Sequence, residues 1–237
     1  MSVSRRTLLG VGGVAVVAAG GAAVWYGTRP GAPLPAAPSA PTITPATAPI
    51  TTGTPDGDAR MAERAIGAAN APVVVTEWFS LTCPHCAAFH RDALPRIRQE
   101  VIDTGKARLI YRDFPLDQTA LTAAMISRAL PGIRYEAFVG ALFSTQDRWA
   151  FNRLANPMEE LAKMAALAGM GRDTFNTTVA DQALKAAILK GQEEADKIFH
   201  VDSTPTFIFN GPKARDQREA GGRSPDDFAR LVAAATG

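Results

Sequence analysis

Both cysteines of this 237-residue chain lie in one short motif, Cys83-Pro84-His85-Cys86. The motif follows a nearly continuous run of β-branched and aromatic residues at 72–79, which predicts a strand covered on both faces. Apolar residues then recur at helical spacing, which predicts a helix with Pro84 in its first position. The motif is therefore predicted to lie where a buried strand passes into a helix.

The remaining folded sequence is predicted from its apolar periodicity and its turn residues. A mostly helical block is expected between two further strands, with a last helix that begins at the Ser224 cap. The predicted segments are a strand at 107–112, the helical block at about 117–200, a strand at 204–209 with a turn at 210–211, and a weak strand at 218–220. The sequence thus predicts an α/β domain over 58–237 that carries a helical insertion.

The N-terminal quarter differs in kind from the rest of the chain. Residues 4–9 resemble a twin-arginine export signal, and no charged residue lies between Leu8 and Thr28. We therefore expect residues 1–28 to be a signal peptide or a membrane anchor. Residues 29–57 are rich in Pro, Ala and Thr, which predicts an extended linker. Either outcome predicts that the rest of the chain lies in the periplasm or cell envelope.

The net positive charge of the chain, +2, comes from its N-terminal segment. Three of the 25 basic residues, Arg5, Arg6 and Arg29, precede the first acidic residue, Asp56. The remaining 22 basic residues face 23 acidic ones, so the folded part is nearly neutral. A near-neutral domain gives no reason to expect nucleic acid as a partner.

The position of the two cysteines predicts reversible thiol chemistry. At the start of a helix, Cys83 would meet unpaired backbone N–H groups and the positive end of the helix dipole, which stabilise a thiolate. Cys86, one turn later on the apolar side, would be the buried resolving thiol. His85 could donate a hydrogen bond or add positive charge beside the thiolate. The redox-active disulfide Cys83–Cys86 would then serve without a separate cofactor.

Other uses of this motif fit less well. A structural disulfide between these cysteines would close too short a loop to restrain much of the chain. A zinc site would need ligands from His85, His90 or His200, and none shows the spacing of a second ligand pair, so no metal is expected. A c-type haem site requires His directly after the second cysteine, where this chain has Ala87.

The run Phe79-Ser80-Leu81-Thr82-Cys83-Pro84-His85-Cys86 strongly resembles the DsbA-like thiol–disulfide oxidoreductases of the bacterial cell envelope. The resemblance continues through 111–115, the helical insertion and 204–207. It implies a thioredoxin-like fold interrupted by a helical domain, with Cys83 as an exposed nucleophile and Cys86 as its partner.

The same resemblance implies roles for residues outside the motif. It implies a cis peptide at Thr204–Pro205 that faces the cysteines and binds an extended substrate strand. It implies that Glu77 is a buried acid that can accept a proton from Cys86, whereas the residues alone also allow a carboxylate at a strand edge, paired with Arg or Lys. For His90 we expect a surface position without a role.

These observations predict an enzyme that catalyses dithiol–disulfide exchange on the cysteines of exported proteins. Its partners would be unfolded or reduced exported polypeptides and a membrane redox partner. The expected direction is oxidation. A disulfide isomerase or reductase, kept reduced by a membrane partner, and a non-catalytic tethered module that binds unfolded chains are the alternatives.

Overall fold

A computed structural model describes residues 58–237. The predicted signal or anchor at 1–28 and the linker at 29–57 lie outside the described residues. Among the residues that the structure describes, no helix combines the length and the apolar character needed to cross a membrane.

A five-stranded mixed sheet forms the centre of the described region, in the order β1-β3-β2-β4-β5. Strands β2 and β3 are parallel, whereas the β1–β3, β2–β4 and β4–β5 pairs are antiparallel. The strands are β1 (Arg64–Ile66), β2 (Val73–Phe79), β3 (Ala107–Asp113), β4 (Thr206–Gly211) and β5 (Ala214–Ala220). Because β2 lies at the centre of the sheet, its carboxyl end delivers the cysteine motif from the most enclosed strand.

The predicted strands are present, with differences at the two edges of the sheet. Strand β1 was not predicted, because three residues are too few to establish an alternating pattern. The turn predicted at Asn210-Gly211 is displaced, since Gly211 still pairs with Ala214 across the β4–β5 hairpin. Gly211 is required there because a Cβ would lie 2.6 Å from the carbonyl oxygen of Ala235.

Helices cover the sheet and form the insertion between β3 and β4. They are α1 (Pro84–Ala88), α2 (Leu94–Ile97), α3 (Gln118–Ala129), α4 (Gly132–Ser144), α5 (Gln146–Trp149), α6 (Pro157–Leu167), α7 (Arg172–Ala180), α8 (Gln182–Phe199) and α9 (Pro225–Thr236). The predicted cap of the last helix is confirmed, because the Ser224 hydroxyl accepts a hydrogen bond from the Asp227 N–H. Six helices, α3 to α8, make up the helical block predicted at about 117–200.

The helix that carries the cysteines departs from α geometry. Helix α1 passes through a π-helical turn, Phe89–Ala93, into α2, and a second π-helical turn, Arg98–Ile102, follows. Pro95 cannot continue the helical hydrogen bonds, so a kink is expected there, and the first π-helical turn ends two residues before it. A π-helical turn shifts the side chains that follow it around the helix axis. His90 lies within this turn.

A buried ion pair connects the sheet to the helical insertion. Arg128 of α3 is 1% exposed, and its Nε donates to Asp113 Oδ2 at 2.6 Å. The same guanidinium donates to the carbonyls of Ala62 and Tyr111, at 3.0 and 3.2 Å. This arrangement fixes the end of β3 against α3, and so fixes the insertion next to the cysteine motif.

Candidate active site

Cys83 lies at the junction between β2 and α1, as its spacing predicts. It is the N-cap residue of α1, in an extended conformation, and Pro84 takes the first helical position. The Cys83 N–H donates to the carbonyl of Ser80 at 3.0 Å, which holds the connecting turn. Its sulfur therefore lies at the amino end of a helix, where free N–H groups point outwards.

Hydrogen bonds lower the pKa of the Cys83 thiol to about 5. The largest cause is a hydrogen bond with the thiol of Cys86, and the Thr204 side chain and the N–H groups of Cys86 and His85 act in the same direction. Burial, the second-largest effect, raises the pKa, but it is smaller than the combined effect of these hydrogen bonds. At neutral pH this thiol is predominantly ionised, and the thiolate is the reactive form of cysteine.

The prediction that Cys83 is exposed is wrong for the dithiol form, in which both cysteines are free thiols. Cys83 is only 4% exposed, and its Sγ lies 3.2 Å from the carbonyl oxygen of Thr204. The residue before the proline therefore covers the sulfur. Pro84 and His85 beside it are exposed, so the sulfur lies just below an accessible surface.

The imidazole of His85 does not act on Cys83 in the way that we expected. The side chain is exposed and makes no hydrogen bond within residues 58–237. It is the backbone N–H of His85 that acts on the Cys83 sulfur. The hydrogen bond expected from the imidazole is therefore replaced by one from the backbone N–H, and the His85 side chain lies in solvent.

Cys86 has the opposite environment to that of Cys83. It is fully buried, and burial raises the pKa of its thiol well above the usual value, with hydrogen bonding to Cys83 as the next cause. The predicted burial of Cys86 is confirmed. One thiol is thus poised to ionise and the other is held protonated, which is the asymmetry that directed thiol–disulfide exchange requires.

Glu77 and His90 form a buried pair beneath the cysteines. Glu77 lies on the central strand β2 and is 0% exposed, so the family-based prediction of a buried acid is confirmed, and the strand-edge interpretation is wrong. His90 Nε2 lies 3.0 and 3.1 Å from the two carboxylate oxygens of Glu77. The prediction of a surface position for His90 is also wrong: its side chain is 6% exposed. His90 lies in the π-helical turn and faces Glu77 of β2.

Thr204–Pro205 is a cis peptide, as the family resemblance implies. Both residues are buried, and β4 begins directly after them, at Thr206. The Thr204 hydroxyl has no hydrogen-bond partner among the described residues when Cys83 is a thiol, yet it lowers the pKa of Cys83, which is the effect expected of a donor to the thiolate. The peptide before the proline therefore faces Cys83 with a carbonyl and a hydroxyl.

Two polar side chains, Gln146 and Thr82, connect the cysteine turn to the helical insertion through hydrogen bonds that the sequence did not predict. Gln146 of α5 is 6% exposed, and its Nε2 donates to the carbonyls of Leu81 and Cys83, at 2.8 and 3.1 Å. The Thr82 hydroxyl donates to Asp117 Oδ2 at 2.6 Å. A single glutamine in a helical segment carries no signal of such a role, because its partners are backbone carbonyls 63 and 65 residues away.

Three features together define a thioredoxin-type fold: a Cys-x-x-Cys motif at the start of a helix, the central strand β2 that precedes it, and a cis-proline that faces it. Here six helices are inserted between β3 and β4. The family model described as Thioredoxin matches residues 60–232. Among residues 58–237, no group of three His, Cys, Asp or Glu side chains could hold a metal ion.

Comparisons with known proteins place the chain more narrowly. The solved structure of α-DsbA1 from Wolbachia pipientis has 30% sequence identity and a TM-score of 0.67, and the match covers 73% of this chain and 90% of that one. A Rickettsia prowazekii protein with the provisional name protein-disulfide oxidoreductase is 28% identical over 62% of this chain and 53% of its own length. A protein-disulfide isomerase from Novosphingobium aromaticivorans shares the fold at 21% identity, with a TM-score of 0.61, over 73% of this chain and 96% of its own.

The chain belongs to the DsbA-like thiol–disulfide oxidoreductase family of the thioredoxin superfamily. It spans between 53% and 59% of the length of the first curated relatives that it matches.

Proposed function

We propose that this protein is an enzyme that oxidises pairs of cysteines in exported proteins by dithiol–disulfide exchange. The observation that carries the proposal is the asymmetry of the two thiols: Cys83 has a pKa of about 5 at the start of α1, whereas Cys86 is buried and held protonated. A low pKa of the Cys83 thiol stabilises the reduced enzyme, which makes its disulfide a better oxidant.

The exchange proceeds in two balanced steps. A client thiolate attacks Cys83 of the Cys83–Cys86 disulfide, so that a client–Cys83 bond forms and Cys86 leaves as a thiolate. A second client thiolate then attacks the client sulfur of this mixed disulfide, and Cys83 leaves as a thiolate. The client loses two electrons and gains a disulfide, and the enzyme disulfide accepts the two electrons.

The cis-proline region supports a binding site for the client. Thr204 and Pro205 lie beside Cys83 and precede β4, so an extended client segment could pair with the backbone of Thr204 while its cysteine reaches Cys83. In this proposal an unfolded or reduced exported polypeptide is the substrate, and a membrane redox partner restores the disulfide. The export signal at 1–28 and the periplasm or cell envelope as the location belong to the same proposal.

The first experiment tests catalysis directly. The oxidised protein is mixed with reduced, unfolded ribonuclease, and disulfide formation is followed by alkylation of the remaining thiols and mass spectrometry. We expect rapid oxidation by the wild-type protein and loss of the reaction in Cys83→Ser. Equal rates for the two proteins would refute the proposal.

The second experiment fixes the direction of the reaction. Acid trapping of cells, followed by alkylation, reports the redox state of Cys83 and Cys86. We expect a mostly oxidised pair, and a mostly reduced pair would assign the protein to disulfide isomerisation or reduction instead. If a variant that lacks both cysteines retains biological function, the protein is a binding module and not an enzyme.

A further inference from the structure

Glu77 and His90 form a pair that is almost completely buried. Glu77 is fully buried and its His90 partner is 6% exposed at the side chain. The imidazole packs on Phe143 of α4, with ring centroids 4.3 Å apart, and lies 5.9 Å from the Tyr111 ring by the same measure. A buried carboxylate is costly unless it is paired, and this imidazole is the hydrogen-bond partner recorded for it among the described residues.

The His90 side of this pair borders a cavity. A volume of about 360 Å³ lies between the helix that carries His90 and helix α4, and His90, Tyr111 and Phe143 are part of its wall. None of the residues that surround the Cys83 sulfur lines this cavity: Cys83, Pro84, His85, Thr204 and Pro205 all lie elsewhere. The imidazole therefore borders the buried carboxylate on one side and a separate space on the other.

Tyr111 indicates that this cavity holds water. Its hydroxyl is buried and has no hydrogen-bond partner among the residues that the structure describes. Buried hydroxyl groups in proteins are almost always bonded to protein or to ordered water, and this cavity is large enough for several water molecules. Burial raises the pKa of Tyr111, so it remains a neutral hydroxyl that can bond to water.

The charged groups around the cavity lie at its rim. Arg98 forms an ion pair with Glu136 of α4, and both side chains are more than 40% exposed. The titratable or charged groups that face the His90 imidazole or the cavity are Glu77 from β2, Tyr111 from β3, Glu136 from α4, and Cys86, Arg91 and Arg98 from its own helix. The charges of Arg98 and Glu136 cancel, so this ion pair does not repel a proton that crosses the rim.

We propose that His90 carries protons between Glu77 and water in this cavity, so that the proton of Cys86 is exchanged with solvent on the α4 side and not through the client-binding face. This proposal rests on the proposed function and extends it to a residue that is neither a cysteine nor part of the cis-proline loop. The charge of Glu77 raises the pKa of Cys86, and Glu77 lies within hydrogen-bond distance of His90, so Glu77 interacts with both groups.

The proton path is clearest for reoxidation of the reduced enzyme. With oxidised glutathione, the Cys83 thiolate first attacks the disulfide, and one glutathione leaves as a thiolate. Before this step, one proton is shared between Glu77 and His90 Nε2, and the other ring nitrogen of His90 carries a second proton. Cys86 then gives its proton to Glu77, the shared proton moves fully to Nε2, and the other ring nitrogen releases its proton to water, so that one proton leaves the buried site. The Cys86 thiolate attacks Cys83, the enzyme disulfide forms, and the second glutathione leaves as a thiolate.

The test separates these two steps in the full-length protein. Reduced protein is mixed with excess oxidised glutathione, quenched with acid at successive times and analysed by mass spectrometry, which distinguishes the dithiol, the glutathione adduct and the disulfide. If wild type forms no adduct at Cys83, the proposed function fails. If adduct formation is normal, the decay of the adduct measures the step that requires deprotonation of Cys86.

The first variant is His90→Gln, whose amide can still donate to Glu77 but cannot carry a proton. We expect adduct formation to keep its wild-type rate, and decay of the adduct to slow by about tenfold or more between roughly pH 6 and 8. A decay rate equal to that of wild type over this pH range would overturn the proposal.

Chemical rescue distinguishes proton transfer from a structural role. His90→Ala enlarges a cavity that already exceeds the size of an imidazole ring, so added imidazole could take the place of the missing side chain. We expect imidazole to accelerate the slow decay in His90→Ala and to leave wild type unchanged. A slow variant that imidazole does not accelerate would show that His90 acts only through packing, and would overturn the proposal.

Gly140 offers a variant that leaves the pair itself intact. Gly140 lines the cavity, and a Cβ added there would meet no atom within 4 Å, so the side chain of Gly140→Leu can start without a clash and is expected to narrow the cavity. Gly191→Leu makes the same change on α8, also without contact within 4 Å, and is the matched control. We expect only Gly140→Leu to slow decay of the adduct. Equal rates of adduct decay in the two variants would show that protons do not pass through the cavity, and would overturn the proposal.

Discussion

Replacement of Cys86 tests the physical origin of the low pKa of Cys83. The hydrogen bond with the Cys86 thiol is the largest of the effects that lower this pKa to about 5. In Cys86→Ala this donor is lost, while the backbone N–H groups of residues 85 and 86 and the Thr204 side chain remain. The pKa of Cys83 should therefore rise, but not to its ordinary value.

The magnitude follows from the energy of one hydrogen bond to a charged group. Such a bond contributes about 1.5–3 kcal/mol, and one pKa unit corresponds to about 1.36 kcal/mol. The loss of the Cys86 donor should therefore raise the pKa of Cys83 by about 1–2 units, to about 6–7. At pH 6 the ionised fraction would fall from about 90% to between roughly 50% and 10%.

The assay is a pH titration of thiolate absorbance near 240 nm, supported by the rate of alkylation by iodoacetamide. Reduced wild type and Cys86→Ala are compared, and the oxidised wild-type protein supplies the baseline, because it has no thiol to titrate. A pKa in Cys86→Ala that is unchanged or lower would refute the reasoning, since it would assign the stabilisation of the thiolate to the backbone N–H groups and Thr204 alone.

Three further predictions concern stability. The pKa of Cys83 is about 5 in the folded protein and near 9 in the unfolded chain, so the reduced form should gain stability relative to the oxidised form as pH rises from about 5 to 9. This advantage should be lost as pH falls back through 5. Urea unfolding of both forms at several pH values measures the difference in stability, and a difference that falls as pH rises would contradict the prediction. Gln146→Ala leaves two buried carbonyls without their donor and should cost about 1–3 kcal/mol in urea unfolding, whereas the exposed Gln182→Ala should change little. Arg128→Ala leaves Asp113 buried without its counterion and should cost about 3–5 kcal/mol, with a thermal midpoint close to wild type as the contrary outcome.

The order of the main elements could be read from local patterns. The β-branched run before the cysteines predicted β2, because a strand buried on both faces needs apolar residues at every position. Proline and glycine marked the breaks in the helical insertion, because neither continues a regular helix. The shared position of Cys83 and Pro84 at a helix start was also predictable, since capping depends on only a few neighbouring residues.

The burial of Cys83 and the role of His90 could not be read in this way. Thr204 covers the Cys83 sulfur from 121 positions away in the sequence, and Gln146 holds the same turn from the helical insertion. His90 lies in a π-helical turn and contacts Glu77 of a different element, and no apolar period in the sequence encodes that contact.

The sequence alone therefore determined the pair of thiols, their junction between strand and helix, and the family, because each of these depends on residues that are close together in the chain. Only the tertiary structure decided how far each thiol is exposed, which groups hold the Cys83 charge, and which partner the buried carboxylate has. These properties depend on contacts between segments that are distant in sequence, and the free energy of ionising a buried group is set by those contacts.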